Sequence, residues 1–291
     1  FENNTLYIID ATIGQTLSFT GCTFQKYNCY RTIDINYLIS EGNGKDGTIF
    51  DSCIVQNCTT NTAVAGTMNN QIFINCQFLY NDKINDEKNP GPGALMISGE
   101  ALFKLADCTF VGNVGEFLGG ALHINISNPL LIDNVSFIDN KVNFDYSSNK
   151  YLHYGGAIFI KQEVNTNTSI MQEFTLRNCY FEGNAVRTNG GAIYVKFNRD
   201  KEIVKKFPIR VEDCRFVSCI SYLRGGGIGM GDPGFFEQTT ESGDVYVTNC
   251  SFINCISLYG GGISSYEGDR RRDEELLVIN CTFDSCAAAF G

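Results

Sequence analysis

Apolar and polar residues alternate along this chain in short bursts, each closed by a polar turn before the next begins. In residues 245–252 (VYVTNCSF), Val245, Val247, Asn249 and Ser251 fall on one side of an extended chain; Tyr246, Thr248, Cys250 and Phe252 fall on the other. Such period-two alternation, rich in Val, Ile, Phe and Tyr and bounded by Asn, Asp, Ser and Gly, predicts β-strands. Alignment with its counterparts turns Cys250 and Phe252 inward and Asn249 and Ser251 outward. No capped apolar stripe of about ten residues or more occurs, so helices are not expected.

The bursts recur as a repeat. Residues 250–263 (CSFINCISLYGGGI) match residues 214–228 (CRFVSCISYLRGGGI) and 179–193 (CYFEGNAVRTNGGAI), and residues 281–291 (CTFDSCAAAFG) begin the motif again. Gly156, Gly191, Gly226 and Gly261 are spaced 35 residues apart. Nine units are expected, the first two degenerate, with two or three strands each. A unit of this size cannot bury its apolar face alone, so the units must stack. The expected fold is all-β: a right-handed, single-stranded parallel β-helix of about nine coils, one domain over residues 1–291. Coils spaced at about 4.8 Å make a rod of roughly 40 Å. The sequence stops inside its ninth unit, which suggests part of a longer array.

Composition narrows the function. The chain of 291 residues carries a net charge of −10, which disfavours nucleic-acid backbone binding, and has no apolar run long enough for a membrane-spanning helix. Thirteen cysteines and seven Asn-x-Ser/Thr sequons (Asn3, Asn57, Asn125, Asn134, Asn167, Asn249 and Asn280) favour a secreted or cell-surface glycoprotein bearing N-linked glycans.

The GGAI of residues 155–158 and 190–193, paired with FxxN at residues 137–140 and 181–184, resembles the repeat of chlamydial polymorphic outer-membrane proteins. It also resembles right-handed β-helix repeats in large protist surface proteins. The resemblance covers coils four to nine and implies a pectate-lyase-like solenoid on the cell exterior, used for adhesion or structure.

Within the motif, the glycine pair suits a sharp turn and close approach between coils. Asn81, Asn113, Asn140 and Asn184 stand three residues after an aromatic, where they can hydrogen-bond to their counterparts above and below. In four coils that position is Cys, with a second Cys five residues earlier. This predicts in-coil disulfides joining Cys53 with Cys58, Cys214 with Cys219, Cys250 with Cys255 and Cys281 with Cys286. Cys22 with Cys29 is a looser fifth pair. Bridges between coils are also allowed by the spacing. Cys76, Cys108 and Cys179 remain as buried thiols. The repeated pairs form a ladder rather than the tetrahedral set zinc needs, so no metal is expected.

Catalytic residues and cofactors are not expected. The only histidines are His123, in a strand, and His153, in a Tyr-rich stretch; the carboxylate pairs Asp133/Asp139 and Asp10/Asp34 have nothing in the sequence to gather them. Phe235 and Phe236, in an otherwise polar loop, are contact candidates. The function expected is a non-catalytic structural or adhesive element, either self-associating end to end as a filament or binding a host or cell-surface partner. A carbohydrate-active enzyme and a monomeric adhesin are the alternatives.

Overall fold

The computed structural model describes residues 17–25, 28–29, 33–34, 47–60, 64–66, 70–83, 91–99, 103–126, 130–143, 153–162, 174–197, 208–231, 244–265 and 276–290. Among them every regular element is a strand. Four parallel sheets run the length of the array: three, called A, B and C, have nine strands each, and the fourth, D, has eight. Coil eight is typical. Val245–Thr248 belongs to sheet A, Ser251–Ile253 to B, Ile256–Tyr259 to C and Ile263–Ser265 to D. The chain is therefore a parallel β-helix of about nine coils.

Four strands per coil exceed the two or three expected. The additional strand is that of sheet C, often only two residues long, as in Ala185–Val186. Two residues are too few to register as an alternation.

The phase of the alternation also differs from expectation. Val245 and Val247 are buried together with Cys250 and Phe252, whereas Tyr246 and Thr248 lie on the outer side. The alternation reverses at Asn249, whose φ is 55°. A left-handed residue bends the strand and turns the next side chain inward out of sequence phase. The same position is left-handed in all nine coils, as Gly21, Ser52, Asn75, Asp107, Asn134, Asn178, Asp213, Asn249 and Asn280. Asn, Asp, Ser and Gly fill this corner because their short polar or absent side chains tolerate the conformation.

A second such corner separates sheets B and C, for example Asp139, Ser218 and Asn254. The glycine pairs make the turn into sheet D. Gly190 has a φ of +72°, and a Cβ on Gly156 would run into the carbonyl oxygen of Gly191 in the next coil. The pair thus serves both purposes expected of it: the first glycine turns the chain and the second lets coils approach.

The core is a set of columns. The inward residue of sheet B is Phe in eight coils, Val55 being the exception. From Phe78 to Phe283 the rings stack with centroids 4.5–5.0 Å apart and planes within 12° of parallel. In-register parallel strands force this geometry, since identical residues sit one rung apart. Aliphatic residues such as Ile158, Ile193 and Ile228 line sheet D opposite them.

A smaller apolar cluster lies outside this core. Leu118, Tyr154, Asn189, Arg224 and Tyr259 pair in parallel just before sheet D. Leu118 and Tyr154 pack against Phe159 and Tyr194, which point away from the main core; the Tyr154 and Tyr194 rings stack at 4.4 Å. Among the described residues no helix is long and apolar enough to cross a membrane.

Candidate functional site

The interior cysteines and four of the buried asparagines collect in two columns, one at each end of sheet B. The first, at the corner from sheet A, holds Cys22, Cys53, Cys76 and Cys108, then Val135, then Cys179, Cys214, Cys250 and Cys281. The second, at the corner into sheet C, holds Cys58, then Asn81, Asn113, Asn140 and Asn184, then Cys219, Cys255 and Cys286.

The asparagine run forms the relay its spacing suggested. Each amide donates to the carbonyl oxygen of the next: Asn81 Nδ2 to Asn113 Oδ1 at 3.0 Å, Asn113 to Asn140 at 2.9 Å and Asn140 to Asn184 at 3.1 Å. Each Nδ2 also donates to a backbone carbonyl of the preceding coil, as Asn113 does to Phe78 at 2.9 Å. The same Oδ1 atoms accept backbone N–H groups, from Asn81 to Asn113 at 3.1 Å and from Asn113 to Asn140 at 3.0 Å. All four side chains are buried, and the relay meets the requirement that buried amides be paired.

The four in-coil cysteine pairs are not brought together. Cys250 and Cys255 stand at opposite ends of Ser251–Ile253, as Cys53 and Cys58 bracket Ile54–Gln56, Cys214 and Cys219 bracket Arg215–Val217, and Cys281 and Cys286 bracket Thr282–Asp284. Five residues of extended chain span about 16 Å, which one bend does not reduce to the roughly 4.4–6.8 Å a disulfide needs. The five-residue spacing corresponds to the length of one face, not to a tight corner. All eight are free thiols in this structure, as are Cys22, Cys76, Cys108 and Cys179; the side chain of Cys29 lies outside the described residues.

Where successive coils both carry a column cysteine, the two instead face one another. The backbone N–H of Cys76 points at Cys108 Sγ (3.3 Å), that of Cys214 at Cys250 Sγ (3.4 Å) and that of Cys250 at Cys281 Sγ (3.4 Å). Thiols donate to nearby carbonyls, Cys108 to Ala106 at 3.0 Å and Cys214 to Glu212 at 3.1 Å. Burial raises the Cys53 thiol to about 11 and pushes those of Cys214 and Cys219 well above the ordinary thiol range.

The outer corner before each inward column residue carries a second ladder. Asn75 donates to Asp51 at 3.3 Å, Asn134 to Asp107 at 2.7 Å, Asn178 to Asp133 at 3.0 Å, Asn249 to Asp213 at 3.1 Å and Asn280 to Asn249 at 3.2 Å. Its signal was the Asn, Asp or Ser preceding most inward cysteines. Three sequon asparagines, Asn134, Asn249 and Asn280, stand exposed in this column, and Asn57 is exposed at the other corner. Asn125 is different: it lies on the outward side of sheet D, half-buried, with its Oδ1 buried and without a hydrogen-bond partner. Asn3, Asn167, Phe235 and Phe236 lie outside the described residues.

His123 and His153 are both buried. His123 packs edge-on against Phe159 with both ring nitrogens unpartnered; burial, with a smaller contribution from the Lys161 charge, lowers its pKa to about 3. Burial and then the Arg187 charge lower that of His153. Asp133 and Asp139 stand at opposite ends of Ser136–Ile138. Asp133 pairs with Arg177 at 2.7 Å, and this hydrogen bond lowers the pKa of its carboxyl. The side chains of Asp10 and Asp34 lie outside the described residues. Among the described residues no three His, Cys, Asp or Glu side chains form a group able to hold a metal ion.

No protein-family model, curated protein or solved structure matches the chain.

Proposed function

We propose that this chain is a non-catalytic extracellular β-solenoid that serves as a rigid structural or adhesive element of a cell surface. The observation that carries the reading is the continuity of stacking: one aromatic column, from Phe78 to Phe283, passes through seven coils without a gap. The interior is filled by groups that join each coil to the next. A rod built this way resists bending and holds its faces at a fixed distance and orientation. The exposure of Asn57, Asn134, Asn249 and Asn280 supports an extracellular setting, because sugar can project from those corners without entering the core. The resemblance to surface β-helix repeats points the same way.

Electron microscopy of the native material, combined with glycopeptide mass spectrometry, tests this reading. Rods carrying glycans on Asn249 or Asn280 are expected; rods joined end to end would add assembly to the role. Unmodified sequons, or turnover of acidic polysaccharides by the purified chain, would overturn the reading.

A further inference from the structure

We propose that the interior cysteines are sites of disulfide formation between successive coils, joining Cys76 to Cys108, Cys214 to Cys250 and Cys219 to Cys255. Three observations carry this. The partners are immediate neighbours across a parallel ladder: Thr109 N–H donates to Cys76 O at 2.9 Å, Ser251 to Cys214 at 3.0 Å and Ile256 to Cys219 at 3.0 Å. That ladder holds the Cα atoms about 4.8 Å apart, inside the window of roughly 4.4–6.8 Å. In the first two pairs the sulfur of the later coil already lies against the backbone N–H of its partner, at 3.3 and 3.4 Å. In the third both cysteines are fully buried and stand at the same end of the adjacent strands Arg215–Val217 and Ser251–Ile253.

The placement has a structural logic. Cys214 with Cys250 and Cys219 with Cys255 fasten the same two coils at both ends of the sheet B strands Arg215–Val217 and Ser251–Ile253. These coils lie beyond the asparagine relay, which ends at Asn184. In the first column Val135 interrupts the cysteines, so no bond crosses from Cys108 to Cys179.

The oxidant is a small-molecule disulfide of the glutathione type. A Cys76 thiolate, having lost its proton, attacks one sulfur and expels one glutathione thiolate. Cys108 loses its proton and attacks the mixed disulfide at the Cys76 sulfur, expelling the second. The protein pair gives up two electrons and two protons, and the small disulfide is reduced to two thiols. Because both sulfurs are buried, exchange proceeds through local separation of neighbouring coils.

The test is to hold the purified full chain with oxidised glutathione, in denaturant below its unfolding transition. Remaining thiols are then alkylated, and the chain is digested without reduction for mass spectrometry. Peptides linked through Cys76–Cys108, Cys214–Cys250 and Cys219–Cys255 are expected. Closing loops of 32 and 36 residues should raise the melting temperature by roughly 5–10 °C, reversibly with reductant. Cys108→Val, which copies the residue found at this register in the next coil, should remove the first link and leave the others; Cys76→Val checks the same bond from its partner. Linkage within a coil, such as Cys250–Cys255, would overturn the proposal. So would full alkylation of all six thiols after incubation. A Cys250–Cys281 or Cys255–Cys286 link would overturn the assignment of that pair.

Discussion

The corner between sheets B and C is built in two ways within one molecule. In coils three to six it is held by Asn81, Asn113, Asn140 and Asn184, and in coils seven to nine by Cys219, Cys255 and Cys286. The backbone is alike in both: the residue before the column is left-handed at Tyr80, Gly112, Asp139 and Gly183, as it is at Ser218, Asn254 and Ser285. What differs is the bonding. An amide supplies two donors and an acceptor, so Asn113 serves the coils on both sides at once. A thiol supplies one weak donor, and Cys219 reaches carbonyls only at 3.5 and 3.7 Å. The asparagine corner is tied by hydrogen bonds, the cysteine corner chiefly by packing and burial.

The sharpest break in this comparison is Asn113→Ala. It removes an acceptor from Asn81, a donor to Asn140 and a donor to the Phe78 carbonyl, all of them buried. A loss of about 3–5 kcal/mol is expected in denaturant unfolding, since each stranded partner costs about 1–3 kcal/mol and some reorganise.

Alkaline pH should act where buried thiols fill the columns, and most where both columns hold one. The Cys214 and Cys219 thiols are raised in the folded chain, so their contribution is complete below the pH at which unfolded thiols ionise. It falls as pH rises from about 8.5 towards the folded values. Each costs about 1.4 kcal/mol per pH unit in that window. Hydrogen exchange at pH 10 should therefore rise first in coil seven, where Cys214 and Cys219 fill both columns, and last in coil five, where Val135 and Asn140 stand in their place. Uniform exchange along the rod would contradict the distinction.

Cys255→Ala is expected to cost about 1–2 kcal/mol, well under the asparagine variant, because it leaves a small cavity and no stranded strong donor. Chemical denaturation of the reduced protein reads the difference. Cys219→Asn should be the mildest. It offers an oxygen acceptor to Asn184, whose Nδ2 donates to the Phe137 carbonyl at 2.8 Å but meets in the next coil the Cys219 sulfur at 4.0 Å, and the melting temperature should change by a few degrees at most. A loss as large as that of Asn113→Ala would show that the asparagine run does not extend by sequence alone.

Much of this arrangement was legible beforehand. The spacing of Phe, Asn and Gly sufficed for the number of coils, the inward aromatic column, the asparagine relay and the close approach at Gly156, because parallel in-register stacking places identical positions one rung apart. The cysteine partners were not legible. Five residues fit a tight corner or a short face equally well, and only the strand Ser251–Ile253 distinguishes them. The inward phase of Val247 was missed for a related reason: alternation assumes a continuous strand, and Asn249 breaks it.

The sequence alone therefore determined the repeat, the parallel stacking and the identity of the columns, since each follows from periodicity and from the need of every coil to bury its face against another. Only the tertiary structure decided where each strand ends and which side chain meets which neighbour. Those outcomes depend on left-handed φ values at single residues such as Asn249 and Asp139, and on long-range pairing that brings residues 32 or 44 positions apart, as at Cys76–Cys108 and Asn140–Asn184, within one rung of each other.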